Sequence, residues 1–573
     1  MPNFFTDNKD LVFQFNNLNI QEIVSLTENN FKDSDKYNYA PVDYEDAIDN
    51  YRRILEIAGD IAGNYLAELA PEVDKQGSRF KSGRVIYADG IQRAIELLSQ
   101  AELMGMTLPR EFGGLNVPKT IYIMAIEIIS RADASLMNIF GLQDIADIIN
   151  KFGTDQQKKE FLPKLATGKY SGAMSFTEPD AGSDLQSIKM EAREKSGGKW
   201  VLRGVKHFIT NGNGDVHLVL ARSEPGTKDG RGLSLFICHK DETVIVRRIE
   251  DKLGIHGSPT CELQYNDTPA QLIGKRKFGL IKYGMDLLNG ARLAVAAQAL
   301  GISQAAYETA LEYARSRIQF GRPIYHIPVV TNLLIDMRVM IESNRSLLYS
   351  TAKWVDLRDR LEEKIKRLKA EGKSFEKENV RLRETVKITA LLTPITKYVL
   401  TESANIITYN SLQIHGGSGY MKDYTVERLA RDARITNIYE GTSQLQIVAA
   451  TGGVINDILS DYFDEKEKKK YRGNLTGLAE DLKEIRKIFL DCLNYVIEKN
   501  DKDFQDVAIK DLVELYSYLY TGYLLLDEAE IEHRKIFIAN RYIIGALANA
   551  HNNAEAIKNE QFSDLLHVDE ILN

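Results

Sequence analysis

The sequence predicts a mostly helical protein with a small β-rich middle domain, and three observations carry that expectation. Apolar residues recur at three- and four-residue steps through the first third of the chain. Short β-type runs separated by glycine turns fill 170–280, and alanine-rich or charged helical patterns return after Gly284. At 573 residues the chain is too long for one simple core, so several domains are expected. They are an N-terminal arm (1–43), a helical domain (44–169), a β middle domain (170–280), a helical bundle (281–455) and a helical extension (456–573).

In the arm, Leu11-Val12-Phe13-Gln14-Phe15 reads as a short helix that packs on the body. Ile54, Leu55, Ala58, Ile61 and Ala62 mark one helical face, and Ile91, Ala94, Ile95 and Leu98 another. Pro109 to Gly114 breaks the helices with a glycine turn. The runs Trp200–Leu202, His217–Leu220, Leu233–Ile237 and Val244–Val246 read as strands of a small antiparallel barrel or sandwich. Leu293 to Ala314 suits a tightly packed bundle helix. The dense charges of 356–387 read as a solvated helical hairpin, or as an arm that binds a partner. Asp461 to Lys470 reads as a charged linker.

Composition excludes several functions. Hydrophobic residues at 44% and charged residues at 27% are those of an ordinary globular protein. A net charge of −8 argues against a nucleic-acid surface. Cys238, Cys261 and Cys492 are too scattered for a disulfide framework or a metal cluster, and no metal is expected. Neither a signal peptide nor an apolar run of roughly 20 residues is visible. A cytoplasmic location without integral membrane association is therefore expected.

The most suggestive stretch is Asn437-Ile438-Tyr439-Glu440-Gly441-Thr442-Ser443-Gln444. An acidic residue precedes a glycine, and Ser443-x-x-Gln446 has capping-box spacing, so a helix is expected to start at this point. Such a start offers free N–H groups to an anionic or electron-rich ligand, and Gly441 permits close approach. A solvated capping charge is the alternative reading of Glu440.

Together with Met174–Asp184 and Lys206–Gly212, this stretch resembles the three signatures of the acyl-CoA dehydrogenase family, in the family's order. The resemblance runs from about Leu66 to Ala450, and the arm and extension are similar to those of larger bacterial members. It implies an acyl-CoA dehydrogenase-like fold, with FAD as cofactor and an acyl-CoA thioester as substrate, in fatty-acid β-oxidation. Glu440 would be the base for the α-proton, and its N–H a donor to the thioester oxygen. Ala291, where some branches of the family carry the base, cannot accept a proton.

The resemblance also assigns the cofactor contacts. Phe176, Thr177 and Ser183 would line the flavin, with Ser183 also on the substrate side, and Phe208, Ile209 and Thr210 would pack along the ring. Arg317 and Phe320 belong to the pyrophosphate segment, Gln413, Gly416 and Gly417 to a glycine turn near the adenosine phosphates, and Thr442 and Gln444 to the stretch after Glu440. Arg292 and Gly441 would meet substrate. Pro328, Ile447 and Asn289 depart from the family pattern on the adenine and CoA sides. An electron-transfer flavoprotein is the implied acceptor, and a glycine turn that completes a neighbouring site implies a homodimer or homotetramer. An acyl-CoA oxidase using O₂ and a non-catalytic helical interaction protein are the alternatives.

Overall fold

A computed structural model describes residues 2–559 and 567–573; Met1 of the expected arm and 560–566 of the expected extension lie outside them. Contacts divide the chain into two compact units. One holds Met1–Ala310 and Ser411–Glu440, the other Leu311–Asn410 and Gly441–Asn573. The bundle expected over 281–455 is thus shared between the two.

In the first unit the arm forms the helix Lys9–Asn16, capped by Asn8 and buried through Leu11 and Phe15. It lies close on the helix Tyr44–Ile61, where a Cβ on Gly59 would stand 2.3 Å from Asn3 Oδ1. The wholly buried face of Lys119–Ala132 packs against Met285–Ser316. A Cβ on Gly301 would stand only 2.5 Å from Glu127 O, so the glycine sets how near the two helices come.

The β domain closes on itself. Val216–Arg222 pairs with Leu233–His239, which pairs with Thr260–Ile273; that strand pairs with Trp200–Thr210, then Glu191–Glu194 returns to Arg222. The ring is a barrel rather than a sandwich. It is mainly antiparallel, but Gly172–Ser175 runs parallel to Val216–Val219. The central strand Thr260–Ile273 was not expected. Cys261, Leu263 and Tyr265 alternate inward, but the polar residues between them and Asn266-Asp267 read as a turn.

In the second unit, Pro328–Ala370 and the helix Glu376–His415 as far as Asn410 form a hairpin much longer than the 356–387 that the charge pattern suggested, turning at 371–375. Its tip is exposed, but Leu361 and Ile365 below are buried. The extension folds as Leu475–Lys499, Lys502–Ile531 and His533–Lys558. The expected charged linker is instead the helix Ser460–Lys468. Phe463 is fully buried against Tyr516, and Arg486 reaches Asp464 at 2.7 Å. One aromatic anchor outweighs the charges around it. Among the described residues no helix is long and apolar enough to cross a membrane.

Replacing Gly301 by alanine should overpack the helix contact and destabilise the first unit by about 1–3 kcal/mol. Denaturant unfolding would measure it, and a shift below ~0.5 kcal/mol would contradict the packing argument.

Candidate active site

The strand Trp200–Thr210 is irregular between Lys206 and Ile209, and the bulge holds His207 and Phe208. Phe208 adopts φ +60°, and the residue is 61% exposed. It stacks on His207 at 3.9 Å and 18°. A β-bulge re-aims side chains, and here it turns an aromatic face out of a barrel wall. Ile209 is buried, and the half-buried Thr210 pairs with Thr260.

Behind the bulge Lys206 is fully buried. Its Nζ donates to Phe176 O at 2.7 Å and to Glu178 Oε1 at 2.9 Å. Glu178 also accepts from the Lys189 and Met190 N–H groups. Burial pulls Lys206 down to about 8, against the attraction of Glu178. Thr177 Oγ1 donates to His207 O, and His207 N donates to Thr177 O at 3.0 Å. Phe176 and Thr177 are therefore stitched to the bulge, whereas Ser183 stands apart in an exposed loop.

Around His207 the ligand-type groups of Glu250 and Glu262 also converge. Arg248 meets both carboxylates, at 3.3 and 3.0 Å, and Arg247 reaches Glu262 at 2.8 Å. Guanidinium groups thus already balance the acids.

Glu440 ends the first unit on a turn. Ile438 and Tyr439 N–H groups donate to Ile435 O. Glu440 then takes φ +56° and Gly441 φ +90°. A left-handed conformation costs a non-glycine residue roughly 1–2 kcal/mol, so something must hold it. The hold is Tyr439, whose hydroxyl donates to Gln298 Oε1 and to Asn138 Oδ1 at 3.2 Å. Gln298 Nε2 donates to Ala134 O at 2.8 Å and Asn138 Oδ1 at 3.0 Å, and Asn138 Nδ2 to Ser258 Oγ at 3.2 Å. Burial and the negative charge of Glu440 push the Tyr439 phenol far above its ordinary range, so it remains a donor.

Glu440 is half-buried, with its Oε2 shielded from solvent. Arg292, on the same helix as Gln298, lies within electrostatic reach of it; burial lowers the guanidinium's proton affinity and the charge of Glu440 opposes this. Arg292 Nη1 is tied to Asn289 Oδ1 at 3.0 Å.

The helix Thr425–Arg434 leading to this turn is anchored from its other side. Arg431 pairs with Asp74 at 2.6 Å, His256 Nδ1 reaches the same carboxylate at 2.9 Å, and Asp432 Oδ1 accepts from Ile255 N. Bonding to Asp74 raises His256 to about 9.

In the first unit Gln413, Gly416 and Gly417 are exposed at the end of the helix Glu376–His415; a Cβ on either glycine would meet nothing within 4 Å. In the second unit Arg317 and Phe320 are exposed on a small hairpin, with Phe320 at φ +50°. The helix Ser443–Ile455 is capped by Thr442, whose side chain accepts from Leu445 N, so the expected cap shifts by one residue. Ser443 is the first helical residue, and its hydroxyl donates to Glu402. Gly441 O accepts from Lys397 at 2.5 Å and Gln446 at 2.9 Å, and Gln444 is exposed.

Sequence reasoning gave no role to Lys206, Gln298 or Asn138. Lys206 had a signal, since it shares the inward phase of Leu202 on its strand; Asn138 and Gln298, 160 residues apart, had none.

Comparison with known proteins matches this chain to "Acyl-CoA dehydrogenase, N-terminal domain" over 49–169, to the middle domain over 173–268 and to the C-terminal domain over 281–451. It is 32% identical over 495 residues to the 3-methylmercaptopropionyl-CoA dehydrogenase of Ruegeria pomeroyi, covering 80% of this chain and 81% of that protein. The acyl-CoA dehydrogenase of Bacillus anthracis, solved with FAD, aligns with TM-score 0.75 at 24% identity over 89% of this chain and 88% of its own. A chain in the structure of the electron transferring flavoprotein of Acidaminococcus fermentans aligns with TM-score 0.60 at 32% identity, over 70% of this chain and 97% of that one.

The Asp74–His256 pair makes stability depend on pH. A raised histidine pKa stabilises fully below the unfolded value of about 6.5, and that contribution disappears as pH rises through about 9. The melting temperature should fall more steeply across this interval in the wild type than in His256→Gln; equal slopes would remove the pair from the account.

Proposed function

The chain belongs to the acyl-CoA dehydrogenase family, and from that premise we propose that it dehydrogenates an acyl-CoA thioester to the trans-2-enoyl-CoA, with FAD as cofactor. The residues present suit that group. An outward-turned Phe208, a half-buried Thr210 hydroxyl beside it and the Thr177 segment pinned behind it offer one ring face and polar atoms at its edge. The exposed Arg317 and the open Gly416–Gly417 backbone are suited to phosphate oxygens. When bound, FAD supplies the acceptor for the β-hydride.

The observation that carries the reading is Glu440, with Oε2 shielded from water, on a left-handed turn within reach of Arg292. In this reading Glu440 takes the α-proton as the α C–H bond breaks, and the pair of electrons left behind forms the new double bond as hydride leaves the β-carbon. The Glu440 N–H would donate to the thioester oxygen, where negative charge grows. Tyr439 holds the base still, because its hydroxyl is anchored by two side-chain amides. Ala291 cannot compete for the proton. Arg292 and Gly441 would face the substrate, and Phe176, Ile209, Phe320, Gln413, Thr442 and Gln444 complete the assigned cofactor contacts. An electron-transfer flavoprotein is the proposed acceptor, supported by the Acidaminococcus fermentans match, and a homodimer or larger the proposed assembly.

Purified protein saturated with FAD should bleach on addition of one or more of a graded panel of acyl-CoAs, followed with a dye acceptor. Glu440→Gln should keep its flavin spectrum and bind acyl-CoA, yet reduce flavin about 10²–10⁴-fold more slowly. Equal rates would take the base role from Glu440, and peroxide formed without added acceptor would move the electrons to O₂.

A further inference from the structure

Between the strands Val244–Ile249 and Thr260–Ile273 runs a loop held by one ammonium that the proposed chemistry does not use. Lys252 is half-buried, and its Nζ donates to Ile255 O at 2.9 Å, to Ser258 O at 2.6 Å and to Thr260 Oγ1 at 3.2 Å. Three such bonds use the three hydrogens of an ammonium. The loop needs a lock of this kind. Ile255 is buried at φ +48°, a left-handed conformation that a β-branched residue avoids. Burial pulls Lys252 down to about 8, and the charge of Asp432, on the helix Thr425–Arg434, opposes this.

Ile255 and Ser258, which Lys252 fixes, are also the residues through which the loop reaches the turn of Glu440. Ile255 N donates to Asp432 Oδ1 at 2.5 Å, on the helix that runs into the turn. The buried Ser258 Oγ accepts from Asn138 Nδ2 at 3.2 Å, while its own hydrogen goes to Ile255 O at 3.3 Å. This contact sets which way the Asn138 amide faces. With its NH₂ on Ser258, the amide presents its oxygen to the Tyr439 hydroxyl at 3.2 Å and to Gln298 Nε2 at 3.0 Å. Turned over, it would set N–H against the N–H of Gln298. Two glycines let the loop come this close. A Cβ at Gly254 would stand 2.7 Å from Asp432 Oδ1. One at Gly257 would stand 2.3 Å from Ser135 Oγ, on the helix Ala134–Phe140 that carries Asn138.

We propose that Lys252 is a positioning residue for Glu440: by closing the loop 252–260 it keeps Ser258 against Asn138, and thereby holds the Tyr439 hydroxyl and the base next to it in one arrangement. The inference rests on the dehydrogenase reading and adds to it a residue that acts only through others. No bond to Lys252 forms or breaks during the reaction. Its loss falls on proton abstraction rather than on acyl-CoA binding, because a small displacement at a reacting group costs far more in rate than in affinity.

The test uses the FAD-loaded enzyme and the acyl-CoA that bleaches it fastest. Lys252→Met and Ser258→Ala should each slow single-turnover flavin reduction by about 10–10²-fold, while the acyl-CoA concentration that half-saturates the thermal shift changes by less than about twofold. Ser258→Ala removes a single hydroxyl and carries the test if Lys252→Met does not fold. Tyr439→Phe should slow reduction as well, and adding either variant to it should fall well short of the product of the two losses, because both act through the same hydroxyl. Wild-type rates in the variants, a loss of affinity as large as the loss of rate, or losses that multiply with that of Tyr439→Phe would overturn this inference and leave the dehydrogenase reading standing. If no acyl-CoA bleaches the wild-type flavin, both fall together.

Discussion

The hydrogen bonds from the Tyr439 hydroxyl to Gln298 and Asn138 are the constraint on which the rest of the site depends. Glu440 occupies a backbone region that non-glycine residues avoid, and a turn of that kind persists only where its surroundings over-determine it. A buried phenol held by two amides does so. It ties the turn to the helix that also presents Arg292, so Glu440 and Arg292 are held by one shared element. The Asp74–Arg431 pair steadies the helix before the turn from the opposite direction. Loosening either support would leave the carboxylate in place chemically but would widen its range of positions, and the proton abstraction proposed for it would tolerate little of that.

The barrel follows the same principle with different atoms. Phe208 is exposed because a bulge breaks the alternation of its strand, and Lys206 fills the space beneath by bonding a carbonyl and a carboxylate. A buried ammonium is unfavourable unless its donors are used, so this lysine specifies one register of Phe176–Thr177 against His207–Phe208. The outward aromatic and the inward cation are adjacent consequences of one extra residue in the strand.

Much of this was legible beforehand, for identifiable reasons. Helical faces such as Ile91, Ala94, Ile95 and Leu98 are read from spacing alone; Ile91, Ala94 and Leu98 are buried and Ile95 is half-buried. The charged hairpin was legible over 356–387 from its dense mixture of charges with leucines and isoleucines between, but not its full length from Pro328. The strand Thr260–Ile273 was not, because its outward residues imitate a turn, and neither was the helix Ser460–Lys468, where one buried phenylalanine decides the outcome. At the site, Glu440 stood out because it is flanked by Gly441 and hydroxyl residues. Its supports, Gln298 and Asn138, come from distant segments whose meeting no local pattern announces.

Buried ions recur in both units. In the second unit Glu342 is fully buried yet accepts from Arg534 at 2.6 and 3.0 Å and lies 3.0 Å from Lys535. A well-packed apolar substitute for such a cluster is often neutral or stabilising, so its value lies in fixing one arrangement of the helices Pro328–Ala370 and His533–Lys558. In the cluster around Lys119 one oxygen of Asp144 has no hydrogen-bond partner, and the adjoining helix carries glycine opposite it. Gly290 thus sets how near Asp144 comes to the helix Met285–Ser316, as Gly301 does for the Glu127 carbonyl.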